Sequence, residues 1–254
     1  MKAEIQDAQE AYLLAMADDE LILGHRNSEW TGHAPILEED IAFTNLALDE
    51  LGHAQLWYGL LADLKGEDDS YPDQLVFYRE APAFRNVQLV ELPNGDWARS
   101  MLRQYLFDAY EAVHLSGLRE SKFAPLAAAA AKAFNEERYH LRHTRAWVRR
   151  LGLGTAESHD RMQAALEFLW PYVLQCFQPT PGRSLLVTAS ISPDPGDIQS
   201  AWLAEVEPLL TEADLKIPVE SKPSIDSRAI HSEHLVSILT DMQYVARSYP
   251  GAAW

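Results

Sequence analysis

The sequence predicts an all-α protein: a bundle of four long helices followed by further helices. Three observations predict it. Several long segments space apolar residues three and four apart, and none keeps the strict alternation of a half-buried strand. Turn and cap residues punctuate these segments, most clearly at Pro93-Asn94-Gly95-Asp96. Two Glu-x-x-His motifs, Glu50-Leu51-Gly52-His53 and Glu137-Arg138-Tyr139-His140, fall at matching places on two of them.

The elements follow in order. A first helix is expected over residues 5–27. A loop with Trp30, Gly32 and His33 leads to Pro35, which suits the first turn of a second helix ending near Leu64. Residues 66–72, with Glu67-Asp68-Asp69, form a polar break, and residues 74–78 a short helix. Asp96 is placed to cap a third helix over 97–120. Pro125 opens a fourth, which ends near Gly152 after Arg149-Arg150, two cations suited to the negative end of the helix dipole. A fifth helix covers 156–178, with Pro171 expected to kink it. Residues 179–195 are rich in Pro, Ser and Gly, and Leu185-Leu186-Val187 reads there as a short extended piece. Two more helices are expected at 197–210 and 232–247. There is no tandem repeat, but helices one and two resemble helices three and four in length and motif placement. The expectation is one domain over 1–254, with a bundle core at about 5–152 and a helical extension at about 155–254.

Composition narrows the function. The chain has 254 residues, 47% apolar, enough for one large core or two modest ones. No stretch approaches about 18 uninterrupted apolar residues, so no membrane span is expected. The start, Met1-Lys2-Ala3-Glu4-Ile5-Gln6-Asp7, lacks the basic and apolar run of a signal peptide. The single cysteine, Cys176, cannot form an internal disulfide. A cytoplasmic location is expected. The net charge of −17 argues against nucleic-acid binding.

The two motifs carry the chemistry. On a helix, positions i and i+3 share a face, so each motif presents a carboxylate and an imidazole together. In the second helix Phe43, Leu46, Glu50, His53, Trp57 and Leu60 form one stripe. In the fourth, Leu126, Ala130, Ala133, Glu137, His140, Thr144 and Trp147 form another. Glu20 sits on the stripe Leu13, Met16, Glu20, Leu23, and Asp108 on Met101, Tyr105, Asp108, Ala112, Leu115. Glu20 precedes Glu50 by 30 positions, and Asp108 precedes Glu137 by 29. Acids on buried stripes need compensation. Two metal ions would supply it, because two Glu-x-x-His helices plus one carboxylate from each of two others make the ligand set of a ferritin-like di-iron or di-manganese bundle. The alternative is a buried polar network without metal.

Other candidates are blander. Glu111-Ala112-Val113-His114 is a third match and reads as a half-exposed decoy. His231-Ser232-Glu233-His234 reads as a helix start capped by Ser232. Arg138, Arg142, Arg145, Arg149 and Arg150 form a basic stripe, for which salt bridging to neighbouring helices is preferred over anion binding. Cys176 reads as structural.

Longer strings point further. They include residues 26–35 with Glu29-Trp30 and Gly32-His33-Ala34-Pro35, then Leu92-Pro93-Asn94-Gly95, Arg103-Gln104-Tyr105 with Asp108-Ala109, and Glu136 with Arg138-Tyr139-His140-Leu141-Arg142. At the C-terminal end they include His231-x-Glu233-His234-Leu235, Met242-Gln243-Tyr244 and Pro250-Gly251-x-x-Trp254. Across nearly the whole chain the sequence resembles the ferritin-like subunits of bacterial phenylacetyl-CoA epoxidase, the C-type (PaaC) above all. The resemblance implies a multicomponent oxygenase that forms the ring 1,2-epoxide. In it an A-type subunit holds the di-iron centre, a reductase supplies electrons, and the C-type subunit is a structural partner with a degraded ligand set. This sequence departs from that pattern, because Glu20, Glu50, His53, Asp108, Glu137 and His140 match the A-type ligands residue by residue. The expected function is therefore an accessory subunit and assembly partner of the A-type subunit, with a retained set for iron or manganese. A di-iron oxygenase active in its own right, or a ferritin-like metal-binding protein, stands as the alternative.

Overall fold

The computed structural model describes residues 2–219 and 225–252. Met1 and Trp254, named above at the two ends, lie outside the described residues. Among the described residues the regular elements are helices, and no strand forms. The chain makes two compact units: residues 1–93 with 227–254, and residues 94–226. The helices after residue 155 are divided between them.

In the first unit, α1 (Lys2–Ser28) and α2 (Leu37–Lys65) run together as a hairpin. With 27 residues α1 is about 40 Å long. Every residue from Ala15 to Gly24 is buried, so its middle has no solvent face. Gly24 lets α2 come close: a Cβ there would lie 3.0 Å from Leu51 Cγ and 3.2 Å from Glu50 Cβ. Pro35 does not enter the first turn of α2, contrary to expectation. The helix starts at Leu37 behind an extended Ile36, where Glu38, Glu39 and Asp40 meet the positive end of the helix dipole. Gly66, at φ 73°, closes α2 with its N–H turned back to Ala62 and Asp63 carbonyls.

The short helix α3 (Tyr71–Phe77) starts earlier than expected, because Pro72 fits a first turn. Next come α4 (Gln88–Glu91) and, from the far end of the chain, α10 (Glu233–Ser248), which packs on α3 and α4. Ser232 caps α10 as expected, its hydroxyl accepting from His234 N. Buried acids tie these pieces to α1 and to one another. Asp18 accepts from Arg79 Nη1 (3.0 Å), from the Tyr58 hydroxyl and from Arg85 N (2.7 Å). Asp19 accepts from Val87 N and Arg228 Nη1, both at 2.7 Å. Glu91 accepts from Asn86 and Ser232 and meets His231 Nδ1 at 2.6 Å.

The second unit holds α5 (Trp97–Leu118), α6 (Ala124–Gly152), α7 (Ala156–Val173), α8 (Arg183–Thr188) and α9 (Pro195–Glu212). Helix α5 pairs with α6 and packs on α7 and α9. Asp96 caps it by accepting from Arg99 N (2.9 Å). Residues 100–111 are buried throughout. Helix α6 instead buries one stripe, Leu126, Ala130, Ala133, Glu137, His140, Thr144 and Val148, at steps of three and four. Gly152 does not stop α6 through a left-handed turn. It is the last helical residue, and a Cβ there would lie 2.6 Å from Ala213 O, so it is needed for close packing.

Pro171 lies inside α7, and the following turn tightens to a 3-10 helix over Leu174–Phe177. Leu185-Leu186-Val187 is helical rather than extended. Gly182, at φ 72°, turns the chain into α8, whose single turn buries Leu186 while Leu185 stays exposed. Trp202 on α9 donates to Leu106 O (3.0 Å) and contacts the Phe177 and Trp170 rings.

Candidate metal centre

Each unit gathers three of the six predicted donors. In the first, Glu20 comes from α1, and Glu50 and His53 from one face of α2. All are at most 1% exposed, and their donor atoms lie within 4.8 Å of one another. His53 Nδ1 stands 3.7 Å from Glu20 Oε1 and 3.7 Å from Glu50 Oε2. That is too long for a hydrogen bond. It suits two ligands around one ion, since donors each about 2.1 Å from a metal lie roughly 3–4 Å apart. Trp57 Nε1, one turn beyond His53, points at Glu20 Oε1 from 3.5 Å.

In the second unit, Asp108 comes from α5, and Glu137 and His140 from α6. These too are buried, with donor atoms within 4.8 Å of one another. Here the polar atoms are bonded more tightly. His140 Nδ1 meets Glu137 Oε2 at 3.1 Å. Gln104 Nε2 donates to Asp108 Oδ1 and Thr144 Oγ1 to Asp108 Oδ2, both at 2.6 Å. Each carboxylate oxygen has a second lone pair, so these bonds orient Asp108 and still leave it able to bind a cation.

The donor chemistry fits a divalent metal. Each triad offers two carboxylates and one imidazole, a mixed oxygen and nitrogen set suited to iron or manganese. Burial makes the acids costly without a counter-charge.

Sequence reasoning missed several of the supporting groups. Gln104 and Thr144 lie one turn from Asp108 and His140, on the same helix faces, and that spacing was the available signal. Asp18 and Asp19, beside Glu20, are as buried as Glu20 but serve other partners. Burial holds the Asp19 carboxyl above its ordinary value, against the pull of Arg228. The Glu111–His114 pair is not half-exposed as expected. Glu111 is 3% exposed and His114 is fully buried, with its ring 5.2 Å from that of Tyr110.

The comparisons with known proteins agree with this fold. The chain is 41% identical over 245 residues to the C-type subunit of the 1,2-phenylacetyl-CoA epoxidase of Escherichia coli (strain K12), covering 96% of this chain and 98% of that protein. The all-α, ferritin-like fold class expected from the sequence stands. Among the described residues no helix is long and apolar enough to cross a membrane. The phenylacetic acid catabolic protein family (PaaA_PaaC) matches residues 1–254, and the chain belongs to that family.

Proposed function

We propose that this chain is a subunit of a multicomponent oxygenase that epoxidises the ring of phenylacetyl-CoA. In this reading it is mainly the structural and assembly partner of a catalytic A-type subunit, working in the cytoplasm with a reductase that serves the complex. The observation that carries it is the identity of 41%, end to end, to the C-type member of such an epoxidase.

We further propose that Glu20, Glu50 and His53 in the first unit, and Asp108, Glu137 and His140 in the second, are retained metal ligands of a ferritin-like chain. Support comes from the near-equal offsets of the two acid-to-motif pairs and from the burial of all six. Two iron ions, or manganese, would supply redox chemistry with oxygen when bound. The chain's own residues supply the rest. Gln104 and Thr144 fix the orientation of Asp108, and Trp57 steadies Glu20. Metal bound only to the native state would also add folding free energy.

Retention of all six donors favours a second reading, a redox-active di-iron enzyme in its own right. Reconstitution with an A-type subunit and reductase separates the two. The assembly reading predicts that Glu50→Ala leaves epoxidation unchanged, while the equivalent change in the A-type subunit abolishes it. Turnover of phenylacetyl-CoA by this chain and the reductase alone would overturn it.

A further inference from the structure

The outward side of α6 carries Arg138, Arg142, Arg145 and Arg149, at steps of four, three and four, a row about 16 Å long. With Leu141, Ala146 and Leu209 they line an open groove of about 500 Å³ beside α9. The concentration is unusual for this chain. Six of its 21 lysines and arginines lie on α6, although the net charge is −17.

Half of the row is already used. Arg145 pairs with Glu205, and Arg149 with Glu212 at 2.6 Å, both on α9. Among the described residues Arg138 and Arg142 have no ion-pair partner. Arg142 instead lies over the ring of Tyr139, 5.0 Å from its centroid, and Tyr139 is 65% exposed.

We infer that this groove docks an acidic segment of a protein partner, a helix or extended strand bearing several Asp or Glu side chains. The geometry separates this from a phosphate site. A phosphate needs donors converging on one point, whereas these guanidinium groups are strung along a helix. A row of carboxylates can meet them one after another, each through a forked pair of hydrogen bonds. Exposed Arg and Tyr are also the residue types that dominate protein interfaces. On a strongly acidic protein, a local basic groove steers an acidic partner to one place. The inference gives the proposed assembly role a surface and rests on that role for the partner's presence.

The test is fluorescence anisotropy of a labelled oligo-glutamate peptide with this chain. Wild type is expected to bind it, and to bind at least about tenfold more weakly as salt rises from roughly 50 to 300 mM. The Arg138→Glu/Arg142→Glu variant is expected to lose tenfold or more, while Lys132→Glu, on the same helix but outside the groove, binds as wild type. All three positions are exposed, and circular dichroism checks that the variants fold. No peptide binding by wild type, or equal binding by the double variant, would overturn the inference. So would inorganic phosphate displacing the peptide at matched concentration, since that marks a small-anion site. Failure of the assembly role looks different: wild type would bind the peptide yet not co-purify with an A-type subunit.

Discussion

Replacing Thr144 with valine removes one hydroxyl and keeps the branched shape. Thr144 is fully buried on α6, its Oγ1 2.6 Å from Asp108 Oδ2 and 3.0 Å from His140 O. A hydroxyl has one proton, and the carboxylate at the shorter distance takes it. Valine therefore deletes a hydrogen bond to a buried acid, which stays bonded to Gln104. The expected loss is about 1.5–3 kcal/mol, the range for hydrogen bonds to charged groups. For a chain of this size that lowers the melting temperature by about 3–12 °C. The assay is urea unfolding in the presence of a chelator, with the slope unchanged and only the midpoint moved. A double-mutant cycle with Asp108→Asn should show coupling above about 0.5 kcal/mol. A loss below about 0.5 kcal/mol with no coupling would refute the hydrogen-bond account of how Asp108 is held.

Three further outcomes follow from other parts of the chain. Arg79→Met strips Asp18 of its guanidinium partner, and such losses cost about 3–5 kcal/mol; Asp18→Asn/Arg79→Met should recover part of this in the same urea assay. Burial holds the pKa of His25 below its usual 6.5, so folding favours the neutral ring over the charged one. Its stabilisation is full above that value and is lost as pH falls through the lower folded value, with a slope of at most about 1.4 kcal/mol per pH unit. Unfolding followed from about pH 7.5 to 5 should show this fall, and His25→Asn should flatten it. Tyr105 buries a hydroxyl with no hydrogen-bond partner among the described residues. Tyr105→Phe should leave stability unchanged or raise it by about 1 kcal/mol, and a clear loss in calorimetry would mean that the hydroxyl is bonded.

Helix periodicity made much of this fold readable. On α6 one face is buried and the rest is wet, so Glu137 and His140 stood out as polar residues on an apolar stripe. The same reasoning failed where a helix is buried all round. On α5 every residue from 100 to 111 is buried, so no polar face marks the surface, and Glu111 with His114 was misplaced outside. The run Asp18-Asp19-Glu20 hid its meaning for a related reason. Successive residues point about 100° apart, and two of the three acids bind Arg79 and Arg228, which lie 61 and 209 positions away. Nothing local names such partners. Leu185-Leu186-Val187 is helical although a three-residue apolar run suits a strand or a helical turn equally; the buried pair Arg183 and Leu186, three positions apart, carries the helical period.

The central claim is that the six buried donors are a metal ligand set. Elemental analysis after anaerobic ferrous loading and desalting tests it most directly. The account predicts iron approaching about two equivalents per chain in wild type, with a large loss in both Glu50→Ala and Glu137→Ala. Less than about a tenth of an equivalent in correctly folded wild type would contradict it and leave a metal-free polar network in its place.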